Sequence, residues 1–465
     1  MVSMSRTKIT SGLFYSCDSY KEEKVRTKTI RFSDWWVRFL FAMLIMVCGV
    51  SSATAAGEIG KTIDKSNVAQ YKDLLMPALY RAVERGDYIL NTGKLSFEYK
   101  QWDMFLEAGK KNAGKFDINA EGDLVDKTGK IPMYHIYGFP FPNIDPKDPK
   151  VADKIMWNVY FNKGRIGGYH YLQRIQWVSE EKGIHRYILS DSRLMGIQGR
   201  PPWQAVPESQ NTDHWSYAEF GIILEPYSMR NTNQLDWDYM DKRDMVQMAY
   251  VPVIRRIRQT SGVSRSDPWM GSDGWQDLTF LWGGKNRTMT WKLIGEQTIL
   301  VPFAGSDKTM VKKDPDGTLF LHATTNKYGY ETPGWKGVKW ALTSGIWTPR
   351  KCWIIEQKPK DEYYAWGLHR NWVDKETGEI WMKEIDTKAG EFRTWTFNIG
   401  DYNEAPDGDN NVGVMNDQTQ IDEKARHATV TVHINAPGDK FAMYMPLSRM
   451  PMDFYTKSNL MALSK

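Results

Sequence analysis

The feature that most constrains this fold is a period-two alternation of apolar and polar residues, which recurs through most of the chain. Met289, Trp291 and Leu293 form one such run. Successive side chains of a β-strand point to opposite faces, so the alternation predicts strands with one buried face. Turn sequences separate the later runs at 374–378 (DKETG) and 386–390 (DTKAG). The pattern therefore predicts an α+β fold that is mainly β, built on an antiparallel meander.

Three segments show helical spacing instead. Apolar residues recur every three to four positions within 57–86, and 97–112 (FEYKQWDMFLEAGKKN) repeats this spacing. A proline-rich, extended segment at 131–147 leads to Asp148 and Pro149, which suit an N-cap and a first helical position. We expect these helices to pack on the sheet, with one of them closing a cavity as the alternative.

The stretch 244–303 is predicted to form a strand, a polar loop and a second strand. Its first part, 250–258 (YVPVIRRIR), alternates, and Pro252 indicates an edge strand or a bulge. On such a strand Arg256 and Arg258 share one face. A solvated face is the ordinary explanation for these arginines, and recognition of a ligand headgroup is the alternative.

The N-terminus predicts the compartment. Basic residues precede an apolar run at 36–50, and small residues follow it at 51–56, which is the order of a secretory signal peptide. We therefore expect residues 1–56 to be a signal peptide and 57–465 to form a single domain. Residues 1–56 hold eight Lys/Arg and four Asp/Glu, a net of +4, so the rest of a chain of net +5 is near +1. That balance argues against a nucleic-acid partner.

A search for reaction chemistry finds no motif. The sequence lacks GxSxG, HExxH, CxxC, a glycine-rich phosphate loop and a dinucleotide fingerprint. Its eight histidines are scattered, which makes a local zinc site improbable. We therefore expect no cofactor, no metal and no enzymatic activity. A distant pair of acids for glycan hydrolysis stays open, because such pairs leave no local pattern.

Three motifs carry a resemblance to a known family. They are DLLMPAL at 73–79, GFPFPNID at 138–145, and YVPVIRRIR at 250–258 with MGSD at 270–273. Through them the chain resembles a family of uncharacterised secreted proteins of Gram-negative bacteria, described as outer-membrane lipoprotein-sorting-like and related to LolA and LolB. The resemblance implies a strongly curved antiparallel half-barrel sheet with helices covering its concave face, and a periplasmic location. Loop insertions are expected at about 200–216 and 401–425.

The aromatic content agrees with such a cavity, since the chain has 20 Trp, 23 Tyr and 18 Phe. Given the resemblance, we expect a carrier for a lipid, a lipoprotein acyl chain or another hydrophobic ligand, linked to an outer-membrane or envelope transport partner. The alternatives are a glycan-binding or glycan-processing protein that uses Trp stacking, and a subunit of an envelope complex. The candidate ligand-binding residues are Trp291, Leu293, Trp353, Ile355, Trp366, Leu368, Arg256 and Arg258.

Overall fold

The computed structural model describes residues 57–134, 136–164, 167–260, 265–404, 411–435 and 441–464. The predicted signal peptide lies outside these residues. Four short strands form two small sheets: β1 (Thr62–Ile63) with β2 (Leu90–Asn91), and β3 (Phe116–Ile118) with β4 (Leu124–Asp126).

The long strands form one large antiparallel sheet. They are β5 (Gly168–Ser179), β6 (Gly183–Gly196), β7 (Trp215–Glu225), β8 (Asn233–Tyr239), β9 (Val246–Val251), β10 (Arg256–Thr260), β11 (Met289–Phe303), β15 (Ile346–Pro359), β16 (His369–Asp374), β17 (Ile380–Asp386), β18 (Phe392–Glu404), β19 (Asn411–Asp422) and β20 (His427–His433). Small strands beside them are β12 (Thr309–Met310), β13 (Lys312–Lys313), β14 (Leu319–Phe320) and β21 (Ala442–Met443).

Hydrogen-bonded neighbours give the order β10-β9-β8-β7-β6-β5-β20-β19-β18-β17-β16-β15-β11, antiparallel throughout. The sheet curves far enough for the end of β11 to reach β18, where Phe303 pairs with Gly400 in parallel. This confirms the predicted class, a mainly β fold with a large curved antiparallel sheet. The two predicted turns also join strands as expected, β16 to β17 and β17 to β18.

The structure differs from the sequence-based expectation in two local segments, 401–425 and 250–258. The expected loop insertion at 401–425 is mostly strand, because β18 runs to Glu404 and pairs with β19 as far as Asn411. The polar composition there is accommodated by buried partners, since Asn326 and Tyr328 donate to the Asp417 carboxylate. The other expected insertion, 200–216, holds two short 3₁₀ turns before β7 begins.

The segment 250–258 is a hairpin and not one strand. Val251 of β9 pairs with Arg256 of β10, and four residues turn between them. Pro252 has no N–H to give to a ladder, and Arg255 adopts a φ of 49°, which continues no strand. Arg256 and Arg258 consequently lie exposed on β10, at the edge of the sheet.

The helices are α1 (Pro77–Arg85), α2 (Asp103–Asn112), α3 (Val151–Gly164) and α4 (Lys457–Ala462). Pro77 occupies the first turn of α1, and Gly86 ends it with a φ of 85°. None of the helices in the described ranges has the length and hydropathy that a membrane span needs.

The two faces of the sheet are covered differently. Helix α3 packs on one face, called here the inner face, with Val151, Ile155 and Val159 in contact with strand residues of β11 and β15. Helix α1 packs on the opposite, outer face, where the Ala78 N–H donates to the Glu384 carboxylate of β17 and the Arg81 guanidinium lies over the Phe392 ring of β18. The expected covering of one face by helices therefore applies to α3, whereas α1 covers the other face.

Candidate ligand-binding cavity

A cavity of about 170 Å³ lies on the inner face, between the sheet, α3 and the loop 276–283. Strands β5 to β8 form one wall, and the ends of β17 and β18 form the opposite wall. Thr279 is exposed and Phe280 is half-buried, so this loop lies at the solvent side of the cavity. We call this space the central cavity.

Aromatic and aliphatic side chains form most of the lining. Phe280 approaches Tyr169 edge-on, with ring centroids 6.2 Å apart. The apolar and aromatic lining residues are Tyr99, Val159, Tyr160, Tyr169, Leu194, Tyr217, Phe280, Ile380, Trp381, Phe441 and Met443. Apolar walls with a few polar groups are the usual composition of small-molecule sites.

The polar groups concentrate on strands β7 and β8. Leu194 of β6 pairs with Glu219 of β7, and Glu219 pairs with Asp236 of β8, so these three side chains share the inner face. Asp238, two residues further along β8, shares that face and lines the central cavity together with Glu219. The alternation that places these acids inside sends Leu235 outward, where it is fully buried.

Local hydrogen bonds hold each carboxyl group in place. The Tyr171 hydroxyl donates to Glu219 Oε1 at 2.9 Å, and Gln234 Nε2 donates to Asp236 Oδ2 at 2.8 Å. The Ser216 hydroxyl donates to Asp238 Oδ2 at 2.6 Å. The wall is therefore preorganised before any ligand enters.

Burial changes the protonation of two of these acids. Burial, and secondarily the charge of Glu219, raises the pKa of Asp236 to about 8. Burial also raises the pKa of Glu219, although the hydrogen bond from Tyr171 lowers it in part. Two carboxyl groups that face each other across neighbouring strands cannot both ionise without cost, so they compete for one proton.

A close backbone approach shapes the rim of the cavity. The Gly196 N–H donates to the Gly167 carbonyl at 2.9 Å, and both residues line the cavity. A Cβ atom at Gly196 would lie 2.3 Å from that carbonyl oxygen. Any side chain at this position would therefore push the β6 end of the wall away from the segment before β5.

The candidate residues from the sequence lie elsewhere. Trp291, Trp353 and Ile355 are buried in one cluster under α3, and Leu293 and Trp366 pack against it. Leu368 is half-buried just before β16, which begins later than the alternation suggested. The β11 and β15 residues face α3, which fills the inner face there. None of the eight borders the central cavity, and ligand contact by them remains a prediction.

The acids of the cavity wall went unnoticed in the sequence. The available signal was an acid at every second position of a strand whose alternate positions are apolar, as in Asp236-Trp237-Asp238 after Leu235. Such a pattern normally marks a solvated face, so the sequence alone did not distinguish a cavity wall from a surface. As for metals, within the described ranges no three His, Cys, Asp or Glu side chains converge in a way that could hold an ion.

Residues 62–461 match the family described as Protein of unknown function (DUF1329). The chain therefore belongs to this family, as its motifs predicted. No curated protein sequence matches the chain.

Several solved structures are similar to this chain. A putative outer membrane lipoprotein-sorting protein domain from Vibrio parahaemolyticus is 11% identical, with a TM-score of 0.44 over 66% of this chain and 97% of that one. A DUF1329 family protein from Desulfovibrio piger is 13% identical, with a TM-score of 0.41 over 65% and 95%. A LolA superfamily protein from Nitrosomonas europaea is 11% identical, with a TM-score of 0.37 over 66% and 98%.

Proposed function

We propose that this DUF1329 family member is a periplasmic carrier that binds a hydrophobic ligand in the central cavity. The observation that supports this most directly is an aromatic-lined space between sheet, helix and loop. Such a space excludes water from the apolar part of a ligand, and each buried methylene contributes about 0.8 kcal/mol. The protein acts by shielding its ligand, without a chemical step.

The size of the cavity limits what it holds in this conformation. A volume of about 170 Å³ is close to that of engineered cavities of about 150 Å³, which hold one benzene molecule. A single ring or a short alkyl segment fits, whereas a full acyl chain from a lipid or lipoprotein would require α3 or the loop 276–283 to move. Displacing α3 would also expose the cluster that contains Trp291 and Trp353.

Glycan binding by Trp stacking has less support. Among Trp residues in the described part of the chain, Trp203 is the one that is substantially exposed. Others stack on one another, as Trp275 does on Trp366 with ring centroids 4.5 Å apart. Trp275 is 3% exposed, so its second face is closed to a sugar as well.

Native mass spectrometry of the protein purified from the periplasm, followed by solvent extraction, tests the carrier function. We expect a small hydrophobic adduct, or binding of a hydrophobic fluorescent dye by the empty protein. Leu194→Trp should remove both, because Leu194 lines the central cavity. Ile184→Trp is the matched control, since Ile184 lies on the same strand but is 38% exposed and outside the cavity.

An empty protein that also fails to bind the dye would contradict the carrier function. Equal dye binding by wild type and Leu194→Trp would place the ligand outside the central cavity. The export hypothesis has its own test, which is the N-terminal sequence of the periplasmic form. Cleavage near residue 56 is expected, and an intact Met1 would contradict it. Crosslinking in intact cells should capture the envelope transport partner, and capture of no envelope protein would count against one.

A further inference from the structure

The chemistry of the cavity wall specifies more about the ligand than its apolar character. Glu219 and Asp238 line the central cavity, and Asp236 lies directly opposite Glu219 in the register of β7 and β8. The other titratable lining groups in the described residues are Tyr99, Tyr160, Tyr169, Tyr217, Glu379 and His433. No Lys or Arg side chain stands among the described lining residues.

The cations nearest to this wall are already engaged. Lys285 Nζ lies 3.6 Å from Asp238 and donates to two backbone carbonyls at 2.8 and 2.9 Å. Arg265 donates twice to Asp277, at 2.6 and 2.8 Å. Within the described part of the chain, no basic nitrogen lies within 4 Å of the Glu219 or Asp236 carboxylates. The wall thus lacks a positive group at Glu219.

Two polar atoms beside this wall have no hydrogen-bond partner among the described residues. One is the hydroxyl of Tyr169, a lining residue that is 7% exposed, and the other is Asp236 Oδ1, on a residue that is 1% exposed. A buried polar atom without a partner destabilises the native state, and such atoms are few in native proteins. Because Tyr169 lines the cavity, a ligand that donates hydrogen bonds would relieve the cost at its oxygen.

We propose that the central cavity takes an amine-bearing ligand with a compact apolar body, whose ammonium group binds at Glu219 beside Asp238. This inference rests on the proposed carrier function and names its ligand class. An ammonium group supplies up to three donors, and the available acceptors are the Glu219 carboxylate and the Tyr169 hydroxyl oxygen. The apolar body then contacts the aromatic end of the cavity. A ligand with a carboxylate or phosphate at this place would meet the acids and be repelled.

Three probes of one size test the proposal: 2-phenylethylamine, 2-phenylethanol and phenylacetate. Each has one ring and a two-carbon tail, which suits a cavity of about 170 Å³. Calorimetric titration of the wild-type protein at neutral pH should show the amine binding at least ~10-fold more tightly than the alcohol, with phenylacetate weakest, because a charge-assisted hydrogen bond is stronger than a neutral one.

Glu219→Gln should reduce the preference for the amine over the alcohol to less than ~3-fold and leave binding of the alcohol in place. The control is Glu362→Gln, the same change at an exposed position outside the cavity, which should keep the full preference. If Glu219→Gln does not fold, Asp238→Asn provides a second variant. The relative affinities of the wild-type protein for the three probes also test the amine inference without any variant.

The outcomes separate the two proposals. Failure to bind all three probes and the hydrophobic dye contradicts the carrier function and the inference together. Alcohol or phenylacetate binding as tightly as the amine overturns the amine inference and leaves the carrier function standing. Binding of the dye without binding of any of the three probes would also overturn the amine inference and leave the carrier function standing. An unchanged amine preference in folded Glu219→Gln would also overturn the assignment to this wall.

Discussion

The two faces of the large sheet are packed differently, although the same apolar–polar alternation produces both. On the outer face, Trp395 and Phe397 of β18 are almost fully buried in a dense aromatic cluster beneath α1. On the inner face, Leu194 and Glu219 are only half-buried, since they border the central cavity. The outer cluster is therefore closely packed, whereas around the central cavity aromatic residues are mixed with smaller and polar ones that leave space. Stability and ligand chemistry can be changed separately in such a protein.

The largest effect should come from the outer face. Phe397→Ala removes a ring that contacts Trp347, Trp395 and Tyr88, with centroids 5.6–6.5 Å away. Phe397 is fully buried, so the lost burial and the cavity left behind should lower the free energy of unfolding by about 3–5 kcal/mol. Denaturant unfolding measures this change.

If the two faces act separately, Phe397→Ala should also keep its ability to bind a ligand in the central cavity. Where Phe397→Ala remains folded, its affinity for a hydrophobic dye should match that of the wild type, because its side chain points away from the cavity. If Phe397→Ala lowered the free energy of unfolding by less than about 1 kcal/mol, the aromatic cluster of the outer face would not be tightly packed.

A smaller effect, of opposite sign, is expected at Asp236 on the inner face. Its pKa of about 8 lies above the value of about 3.9 in unfolded chains. Between these two values the native state binds more protons than the unfolded state, so this group makes stability fall as the pH rises. Asp236→Asn removes the titration, and the variant should gain about 3–4 kcal/mol relative to wild type between pH 5 and pH 8.

Chemical denaturation at both pH values measures that difference. The substitution also relieves Glu219 of a competing carboxyl group, so the measured difference reports on the pair of acids and not on Asp236 alone. The control is Asp361→Asn, at an exposed position, which should show no such pH dependence. A constant difference between Asp236→Asn and wild type from pH 5 to pH 8 would mean that Asp236 is ionised in both states.

The sequence predicted the sheet because a period of two is a local property. The hairpins at 374–378 and 386–390 and the helix after Asp148 follow from residues adjacent in the chain. The strand at 411–422 was missed because its buried polar residues, such as Asp417, are stabilised by partners far away in sequence. The hairpin at 250–258 was missed because the conformation of Arg255 is not visible in its residue type.

The cavity could not be predicted for a different reason. Alternation shows that Trp291 and Trp353 share a face, but not whether a helix or a void covers that face. The answer depends on where α3 lies across the sheet, and α3 covers β11 and β15 while leaving β6 and β7 open. Glu219 and Asp238 line a cavity, and not a packed core, because α3 lies in this position.

The smallest expected effect is that of Leu194→Ala on the inner face. It tests whether this face is hollow when it is compared with the same substitution on the outer face. Leu235 of β8 is fully buried on the outer face, and Leu235→Ala should lower the free energy of unfolding by about 2–5 kcal/mol. Leu194 of β6 already borders a void, so Leu194→Ala enlarges existing space and loses only part of the transfer free energy, about 1 kcal/mol. Denaturant unfolding compares the two variants. Equal losses would mean that the inner face is packed as tightly as the outer one, and that ligand binding requires a conformation with a more open cavity.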